Sequence, residues 1–342
     1  MSWELLGLDS IKESFSKLIG SGRFPHALLL TGLEGSGRFS LSLALAKAIN
    51  CEKPESDHSP CLTCLNCRLI AELKHPDLIV IEPNSLTGRV IPIDEIKQLR
   101  KTLRLKPYHG RYKIAVIRQA ERLSEESGGA LLKTLEEPSP FTVLILNSRG
   151  EADMLPTLVS RCLRFKTSPI DRQTLLEALK ERNLGPMQSR LLAGLSGGAL
   201  GLALNLDAGQ AWRVWEGIDR LFLMRGHDSF LKSALDWTTH LTNEVERLKK
   251  LDDGVEQKNA LIDLTLNCLR LWWRDSAILA ATNDHKRLCG PPPSKSQREM
   301  AKIISANKLT KNEEALATIS MALDRSIRMD LVFENYWRAV LE

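Results

Sequence analysis

The sequence has no apolar run that approaches the roughly 18 residues needed to span a membrane. It also lacks, from Met1 onward, the basic start and apolar stretch of a secretion signal, so we expect a cytoplasmic protein with no membrane partner. An excess of charge is missing too, because 47 Lys and Arg stand against 42 Asp and Glu, a net charge of +5. That balance permits a nucleic-acid or acidic partner but does not demonstrate one.

The composition and length indicate a folded protein of several domains. With 43% hydrophobic and 26% charged residues, the chain is neither disordered nor fibrous, and 342 residues predict two or three globular domains. Four of the seven cysteines fall within residues 51–67. In a cytosolic chain, such clustering indicates a metal site rather than disulfides.

The first half of the chain alternates between strand-like and helical patterns. Short apolar runs that predict buried strands lie at residues 27–31, 77–81, 113–117 and 142–146, and helical patterns lie at residues 10–20, 40–49, 93–103 and 123–135. This alternation predicts an α/β fold with a parallel sheet covered by helices on both faces. Beyond residue 169 the patterns are helical, and six of the seven tryptophans lie beyond residue 210, where they predict the core of a helix bundle.

A glycine-rich turn at residues 32–37 follows the first predicted strand and precedes a predicted helix. A phosphate-binding loop of the pattern Gly-x-x-x-x-Gly-Lys-[Ser/Thr] would use Gly32 and Gly37, with Gly35 between them. Arg38 and Phe39 stand where the lysine and the hydroxyl residue belong, and phenylalanine cannot ligate magnesium. Ser40 is no substitute, because one residue further along a helix is a rotation of about 100°.

The acidic residues that an ATPase needs beside the phosphate loop are also missing from their expected position. The strand at residues 113–117 is followed by Arg118 and Gln119, and Glu121 comes two residues too late. We therefore predict a degenerate nucleotide site formed by Gly32, Gly35, Gly37 and Arg38, which holds ATP or ADP weakly if at all and does not hydrolyse it. The alternative is an ordinary strand-to-helix turn.

Two motifs connect the sequence to a known family. The segment Ala-Leu-Leu-Lys-Thr-Leu-Glu-Glu-Pro at residues 130–138, followed by Ser-Arg-Cys at residues 160–162, resembles the AAA+ clamp-loader subunits of bacterial DNA polymerase III. The resemblance implies an AAA+ domain over residues 1–168, a helical lid over residues 169–208 and a helical collar domain over residues 209–342. It implies as partners the gamma/tau and delta subunits, the beta sliding clamp and primed DNA.

The same resemblance implies a role for Arg161. In this family, the Ser160-Arg161-Cys162 motif carries an arginine that acts on the ATP of a neighbouring subunit. Such an arginine neutralises the charge that develops on the transferred phosphoryl group. The alternative for Arg161 is a solvated surface charge or salt-bridge partner. Cys162 is expected to be a small buried residue rather than a nucleophile.

The clustered cysteines have the spacing of a metal site. Cys51-x9-Cys61-x2-Cys64-x2-Cys67 offers four thiolates to one tetrahedral zinc, and we predict a structural Zn²⁺ without chemistry of its own. Free buried cysteines and an iron–sulfur cluster are the alternatives, with His58 as a lesser candidate ligand.

Three functions remain open from the sequence. The preferred one is a clamp-loader subunit without ATPase activity that supplies Arg161 to its neighbour. The second is an active ATPase of the gamma/tau type, and the third is a nucleic-acid-binding protein built on the zinc module. The segment between Cys51 and Cys61 has more acid than base and no aromatic residue, which disfavours the third function.

Overall fold

A computed structural model describes residues 3, 5–22, 24–83, 90–248, 254–324 and 328–341. The chain forms two compact units. Unit 1 comprises residues 1–171 and 199–202, and unit 2 comprises residues 172–198 and 203–342. The division at residues 168 and 208 into three domains is finer than these two units and stays a prediction.

Unit 1 is built around a five-stranded parallel sheet. Its strands are β1 (Ala27–Thr31), β2 (Leu78–Ile81), β3 (Lys113–Ile117), β4 (Thr142–Ser148) and β5 (Leu163–Lys166), in the spatial order β2-β3-β4-β1-β5. Every neighbouring pair is parallel. The carboxyl ends of all five strands therefore meet at one edge, and the glycine loop leaves β1 at this edge.

Helices cover both faces of this sheet. They are α1 (Asp9–Gly20), α2 (Arg38–Asn50), α3 (Leu65–Ala71), α4 (Ile93–Leu103), α5 (Glu125–Glu136) and α6 (Pro156–Val159). On one face Leu28 packs with Phe15 and Leu41, and on the other Leu29 packs with Leu131. Neighbouring residues of β1 thus bury opposite faces, as the period of a strand requires. The predicted α/β fold class is confirmed.

Strand β5 has no counterpart among the predicted strands. It lies at the edge of the sheet and pairs only with β1, and three of its four residues are exposed. An edge strand of this kind does not need the continuous apolar run that central strands carry.

The predicted strands at residues 27–31 and 113–117 match β1 and β3 residue for residue.

Helices are the only regular secondary structure in the described residues of unit 2. Its helices are α7 (Arg172–Lys180), α8 (Pro186–Ser196), α10 (Ala208–Leu223), α11 (Phe230–Leu248), α12 (Gly254–Thr282), α13 (Lys295–Ala301), α14 (Ala306–Asp324) and α15 (Met329–Leu341). The short helix α9 (Leu200–Asn205) begins within the segment that belongs to unit 1. No helix in the described part of the chain is long and apolar enough to cross a membrane.

Aromatic side chains form the centre of unit 2, as the sequence predicts. The rings of Phe222 and Trp272 stack with their centroids 3.9 Å apart, and Trp337 meets Phe222 edge-on at 6.2 Å. The indole N–H of Trp272 donates to Asp219 over 3.1 Å, so this buried polar group is satisfied.

Candidate functional site

The glycine loop joins β1 to α2 at the carboxyl edge of the sheet. Gly32, Gly35 and Gly37 have φ angles of +152°, +73° and +87°, in a region that L side chains rarely adopt. The N–H of Gly32 donates to the carbonyl of Ser148 at the end of β4, and Gly37 directly precedes α2. The loop therefore has the strand, turn and helix setting in which a phosphate-binding loop is found.

This loop is in close contact with the backbone of a distant segment. The N–H of Gly201 donates to the carbonyl of Gly35 over 2.9 Å. A Cβ added to Gly35 would lie 2.3 Å from the nitrogen of Leu202, and one added to Gly32 would lie 2.0 Å from Oγ1 of Thr167. Both glycines are therefore required by the close approach of their neighbours as well as by their φ angles.

Arg38 begins α2 and is surrounded by other charges. Burial is the main cause that lowers the pKa of Arg38. The guanidinium groups of Arg149 and Arg118 also lower this pKa, and the carboxylates of Glu121 and Glu34 raise it, but not enough to cancel the shift. Its Nη1 atom is buried and has no hydrogen-bond partner among the described residues. A positive charge thus occupies the lysine position of the phosphate-loop pattern, within a cluster of arginine and glutamate side chains.

Phe39 and Arg118 are in direct contact. The guanidinium carbon of Arg118 lies 4.5 Å from the centre of the Phe39 ring, within the range of a cation–π interaction. Arg118 also forms an ion pair with Glu82. The phosphate-loop pattern expects a magnesium ligand at Phe39, and an ATPase expects an acid just after β3. These two positions instead hold a ring and a cation that stabilise each other.

Two polar residues close to this cluster were not identified from the sequence as site residues. In the sequence Glu121 comes two residues too late for the acidic position, yet its side chain is only 10% exposed and its Oε1 lies 3.8 Å from Nε of Arg149. Asn147, at the end of β4, accepts a hydrogen bond from Ser42 over 3.0 Å. The Oε2 atom of Glu121 and the Nδ2 atom of Asn147 are buried without a partner in the described part of the chain. Polar residues at the ends of predicted parallel strands were the available signal.

Arg161 lies between α6 and β5 and is held by several oxygens. Its Nη2 donates to Oε1 of Glu136 over 2.8 Å, and its Nη1 donates to the carbonyl of Thr157 over 3.0 Å and to Oγ of Ser160 over 3.4 Å. The Arg161 side chain is 38% exposed. Because Glu136 is the last residue of α5, this ion pair joins the two motifs that carry the family resemblance.

Cys162 has the environment of a packing residue. It lies against the apolar cluster on the α5 side of the sheet. Burial raises the pKa of the Cys162 thiol to about 11. Such a thiol is almost entirely protonated at neutral pH, which is unfavourable for a nucleophile.

The four clustered cysteines converge on one point at the end of α2. The Sγ atoms of Cys51, Cys61, Cys64 and Cys67 all lie within 4.8 Å of one another. A zinc ion with bonds of about 2.3 Å to four sulfurs would place those sulfurs roughly 3.8 Å apart in a tetrahedron. The cluster is therefore compatible with a structural zinc, and four protein ligands would leave no open position for chemistry.

Backbone N–H groups surround the sulfurs of this cluster. The amides of Cys61, Cys64 and Cys67 donate to Sγ of Cys51, Cys61 and Cys64 over 3.3, 3.3 and 3.5 Å. Burial opposes ionisation of Cys61, but the donors around it, including the amides of Thr63 and Cys64, lower its pKa to about 6. Burial raises the pKa of Cys51 and Cys67. A cation would offset the cost of deprotonating these two thiols.

His58, the lesser candidate ligand, is engaged elsewhere. A Cβ added to Gly20 at the end of α1 would lie 2.7 Å from Nε2 of His58, so the imidazole packs against that glycine. Within the described residues, the only group of three or more candidate ligands that could hold a metal contains the four cysteines and no histidine.

A buried hydrogen-bond network supports the cysteine cluster. His75 accepts the N–H of Asp77 at Nδ1, so its Nε2 donates to Oδ1 of Asn66 over 3.1 Å. Asn66, which lies between Cys64 and Cys67, donates in turn to the carbonyl of Asn50 over 2.9 Å. The chain on both sides of the cluster is thereby fixed independently of a metal.

Comparisons with known proteins find similarity to subunits of DNA polymerase III. A family model described as DNA polymerase III, delta subunit, matches residues 7–171. The tau subunit of DNA polymerase III from Escherichia coli is 32% identical over 209 residues, which is 59% of this chain and 32% of the relative. The delta' subunit from the same organism is 33% identical over 211 residues, which is 60% of this chain and 62% of the relative.

The chain therefore matches less than two thirds of the length of either relative. Among solved structures, a DNA polymerase III gamma subunit-related protein from Thermotoga maritima is similar with a TM-score of 0.49 and 19% identity, covering 96% of this chain and 98% of that protein. The resemblance to DNA polymerase III subunits that the sequence motifs indicate is therefore confirmed over residues 7–171.

Proposed function

We propose that this chain is a delta-prime-type subunit of the DNA polymerase III clamp loader, which helps to load the beta sliding clamp on primed DNA without hydrolysing ATP itself. The observation that carries the proposal is the contact between Phe39 and Arg118. An ATPase site needs an oxygen ligand for magnesium at the first position and an acidic residue near the second. A phenyl ring offers no such ligand, and a guanidinium repels Mg²⁺.

In this proposal the glycine loop is a remnant of a nucleotide site. The approach of residues 201–202 to Gly35 supports this role, because the loop is already hydrogen-bonded to protein backbone. Gly32, Gly37 and Arg38 complete the remnant. We expect ATP and ADP to bind weakly at most, through loop amides and the charge of Arg38, and we expect no hydrolysis.

We further propose that Arg161, with Ser160 and Cys162 beside it, acts as an arginine finger on the ATP of a neighbouring subunit. Support comes from the position of Arg161 on the surface next to α5. Its ion pair with Glu136 joins two side chains that are 38% and 50% exposed, so solvent screens it and its contribution to stability is about 0–1 kcal/mol. A phosphoryl group that carries developing charge can compete for a guanidinium held so weakly.

The proposed metal is a structural Zn²⁺ bound by Cys51, Cys61, Cys64 and Cys67. When bound, the ion would supply rigidity and no reaction chemistry, because all four positions around it are filled by sulfur. The buried polar network from His75 to Asn50 orients this module against the sheet. The module is thus proposed as a structural insertion in the AAA+ domain.

The proposed assembly follows from the family. The chain would join gamma/tau and delta subunits in a hetero-oligomeric ring in the cytoplasm, with the beta sliding clamp and primed DNA as partners of the whole. The proposed AAA+ domain, lid and collar would extend over residues 1–168, 169–208 and 209–342.

An active ATPase of the gamma/tau type is the second candidate. The observation in its favour is that the identity to tau, 32%, nearly equals the identity to delta', 33%. Against it stand the substitutions at Arg38 and Phe39 and the cation at Arg118. A zinc-module protein that binds nucleic acid is a third candidate, and the segment between Cys51 and Cys61, which has more acid than base and no aromatic residue, disfavours it.

ATP turnover by the isolated full-length chain tests the proposal, with a tau subunit as the positive control. We expect no turnover above background, with or without Mg²⁺, because the chain has no metal ligand at Phe39. Turnover that the Arg38→Ala variant abolishes would contradict the proposal and favour the gamma/tau-type ATPase.

A further inference from the structure

A pocket in unit 2 lies at the meeting of α12, α14 and α15. Its volume is about 140 Å³, and its walls include Trp273, Lys308, Lys311, Asn312, Tyr336 and Val340. A cavity of roughly 150 Å³ holds a molecule the size of benzene. The pocket is therefore large enough for the end of a side chain or a small organic acid, and too small for a nucleotide.

A hydrogen-bond chain with a fixed direction crosses the wall of this pocket. The indole N–H of Trp273 donates to the hydroxyl of Tyr336 over 3.1 Å, and that hydroxyl lies 2.9 Å from Oδ1 of Asn312. An indole can only donate, so the tyrosine hydroxyl accepts from it and donates its own proton onward. Burial raises the pKa of Tyr336, which keeps that proton in place.

This direction determines which end of Asn312 remains free. Because Oδ1 is taken by Tyr336, the amide nitrogen is the end left over, and it can only donate. Asn312 is 5% exposed, and its Nδ2 has no hydrogen-bond partner among the described residues. Buried amide donors are nearly always satisfied in folded proteins, so a missing acceptor is the simplest explanation.

The remaining charged groups of the pocket are donors as well. Lys308 and Lys311 lie one turn apart on α14, and no carboxylate is among the residues of the wall. Neither lysine has an ion pair within the part of the chain that the structure describes. Glu313 follows on the same helix but is exposed and outside the wall. The pocket thus places two lysines beside a buried neutral donor, and one negative charge, that of Glu313, acts on its wall at Tyr336.

We propose that this pocket binds the carboxylate of an acidic side chain from a partner polypeptide, with Asn312 Nδ2 donating to it and Lys308 and Lys311 neutralising it. A carboxylate is favoured over a phosphate because the buried donor is neutral and because Ala315, Ala339 and Val340 give the pocket an apolar side, which suits the methylene groups of glutamate. A dianionic phosphate would leave more of its oxygens without donors at that depth. The inference does not rest on the clamp-loader assignment, since it uses only unit 2.

The indole N–H of Trp273 reports on the pocket directly. In a ¹H–¹⁵N spectrum of the full-length chain, the Trp273→Phe variant identifies its signal among the indole resonances. We would titrate the wild-type chain with N-acetyl-glutamate α-amide, with the matched N-acetyl-glutamine α-amide as the control, and with inorganic phosphate. A second arm uses a short peptide of glycine and serine with one central glutamate, compared with its glutamine counterpart.

We expect the Trp273 signal to shift with the glutamate compounds and to stay in place with the glutamine compounds. The double variant Lys308→Gln/Lys311→Gln should weaken binding at least tenfold, and Asn312→Leu should abolish it while the other indole signals report an intact fold. Binding of the peptide as tightly as the free compound supports a side chain of a partner as the source, and binding of the free compound alone would overturn that source in favour of a small carboxylate.

Three further results would overturn the inference. No shift at tens of millimolar glutamate compound would mean that the pocket has no carboxylate ligand. An equal shift with the glutamine compound would mean that charge is not recognised. Tighter binding of phosphate than of either carboxylate would assign the wrong chemical class.

Discussion

Replacing Gly35 with alanine tests whether the glycine loop is fastened to the segment at residues 201–202. The first cost is conformational, because the φ angle of +73° suits an L residue poorly by about 1–2 kcal/mol. The second is steric, because the new Cβ would lie 2.3 Å from the nitrogen of Leu202 and would force the two backbones apart. Overpacking of this kind costs about 1–3 kcal/mol, and the hydrogen bond from Gly201 would be lost with it.

Gly37 provides the matched control. Its φ angle of +87° imposes a similar conformational cost, but an added Cβ would meet only a methyl group of Leu8 at 3.8 Å. Gly37→Ala should therefore incur the conformational cost without the steric cost. The difference between the two variants isolates the contact with residues 201–202, at about 1–3 kcal/mol.

Hydrogen exchange at the Gly201 amide measures this difference locally. A free-energy difference of about 1–3 kcal/mol predicts exchange at Gly201 roughly 5–150-fold faster in Gly35→Ala than in Gly37→Ala. Equal exchange in the two variants would refute the reasoning, because it would mean that the loop and the segment do not hold each other.

Three further predictions concern the metal, the Phe39 contact and a buried carboxylate. Chelation, or Cys64→Ser, should lower the thermal midpoint and the zinc content per chain; an unchanged midpoint in a chain that never contained zinc would refute a structural ion. A double-mutant cycle of Phe39→Leu and Arg118→Met should give a coupling of about 0.5–1 kcal/mol, and additive effects would mean that the contact is incidental. Burial opposes ionisation of Asp77, but the N–H groups of residues 108–110 outweigh it and lower its pKa. The ionised carboxylate of Asp77 therefore stabilises the folded state above about pH 4, and this stabilisation is lost as the pH falls through the pKa of Asp77 in the folded protein. Oδ1 of Asp77 also lies 3.8 Å from Nζ of the buried Lys113, so Asp77→Asn should break this ion pair and cost about 3–5 kcal/mol near pH 7. Acid titration of both proteins by circular dichroism should then converge, and a parallel offset at all pH values would contradict this assignment.

The central strands of unit 1 were predictable because both of their faces are buried. The apolar runs of β1 and β3 are as long as the strands themselves, since every residue of each is buried. The edge strand β5 was not predictable in this way, because it keeps polar residues such as Arg164 exposed. Local pattern therefore identified the central strands and the half-buried edge strand β2, and it missed the edge strand β5, whose residues are mostly exposed.

The candidate site was predictable in its parts and not in its contacts. Motif spacing alone singled out Arg38, Phe39 and Arg118 as substitutions. That Phe39 and Arg118 touch depends on the parallel direction of the strands, which puts the ends of β1 and β3 on the same edge, and on the strand order, which leaves only β4 between them. The approach of Gly201 to Gly35 spans more than 160 residues of sequence, and no local pattern reveals such a contact.

The arginine finger is the part of the proposal that reconstitution tests most directly. A ring would be assembled from gamma/tau, delta and this chain, with the beta clamp and primed DNA present. Wild-type chain would be compared with Arg161→Ala and with the control Arg164→Ala. Arg164 is also an exposed arginine paired with a glutamate, Glu151, and it lies three residues from Arg161.

ATP turnover by this ring is the measurement that decides whether Arg161 acts as an arginine finger. Because an arginine finger contributes about a thousandfold or more at the site it serves, Arg161→Ala should cause a large fall in turnover while the subunits remain assembled and Arg164→Ala leaves turnover unchanged. Turnover that is the same for all three chains, in rings shown to be intact, would contradict the account and leave Arg161 as a surface residue paired with Glu136.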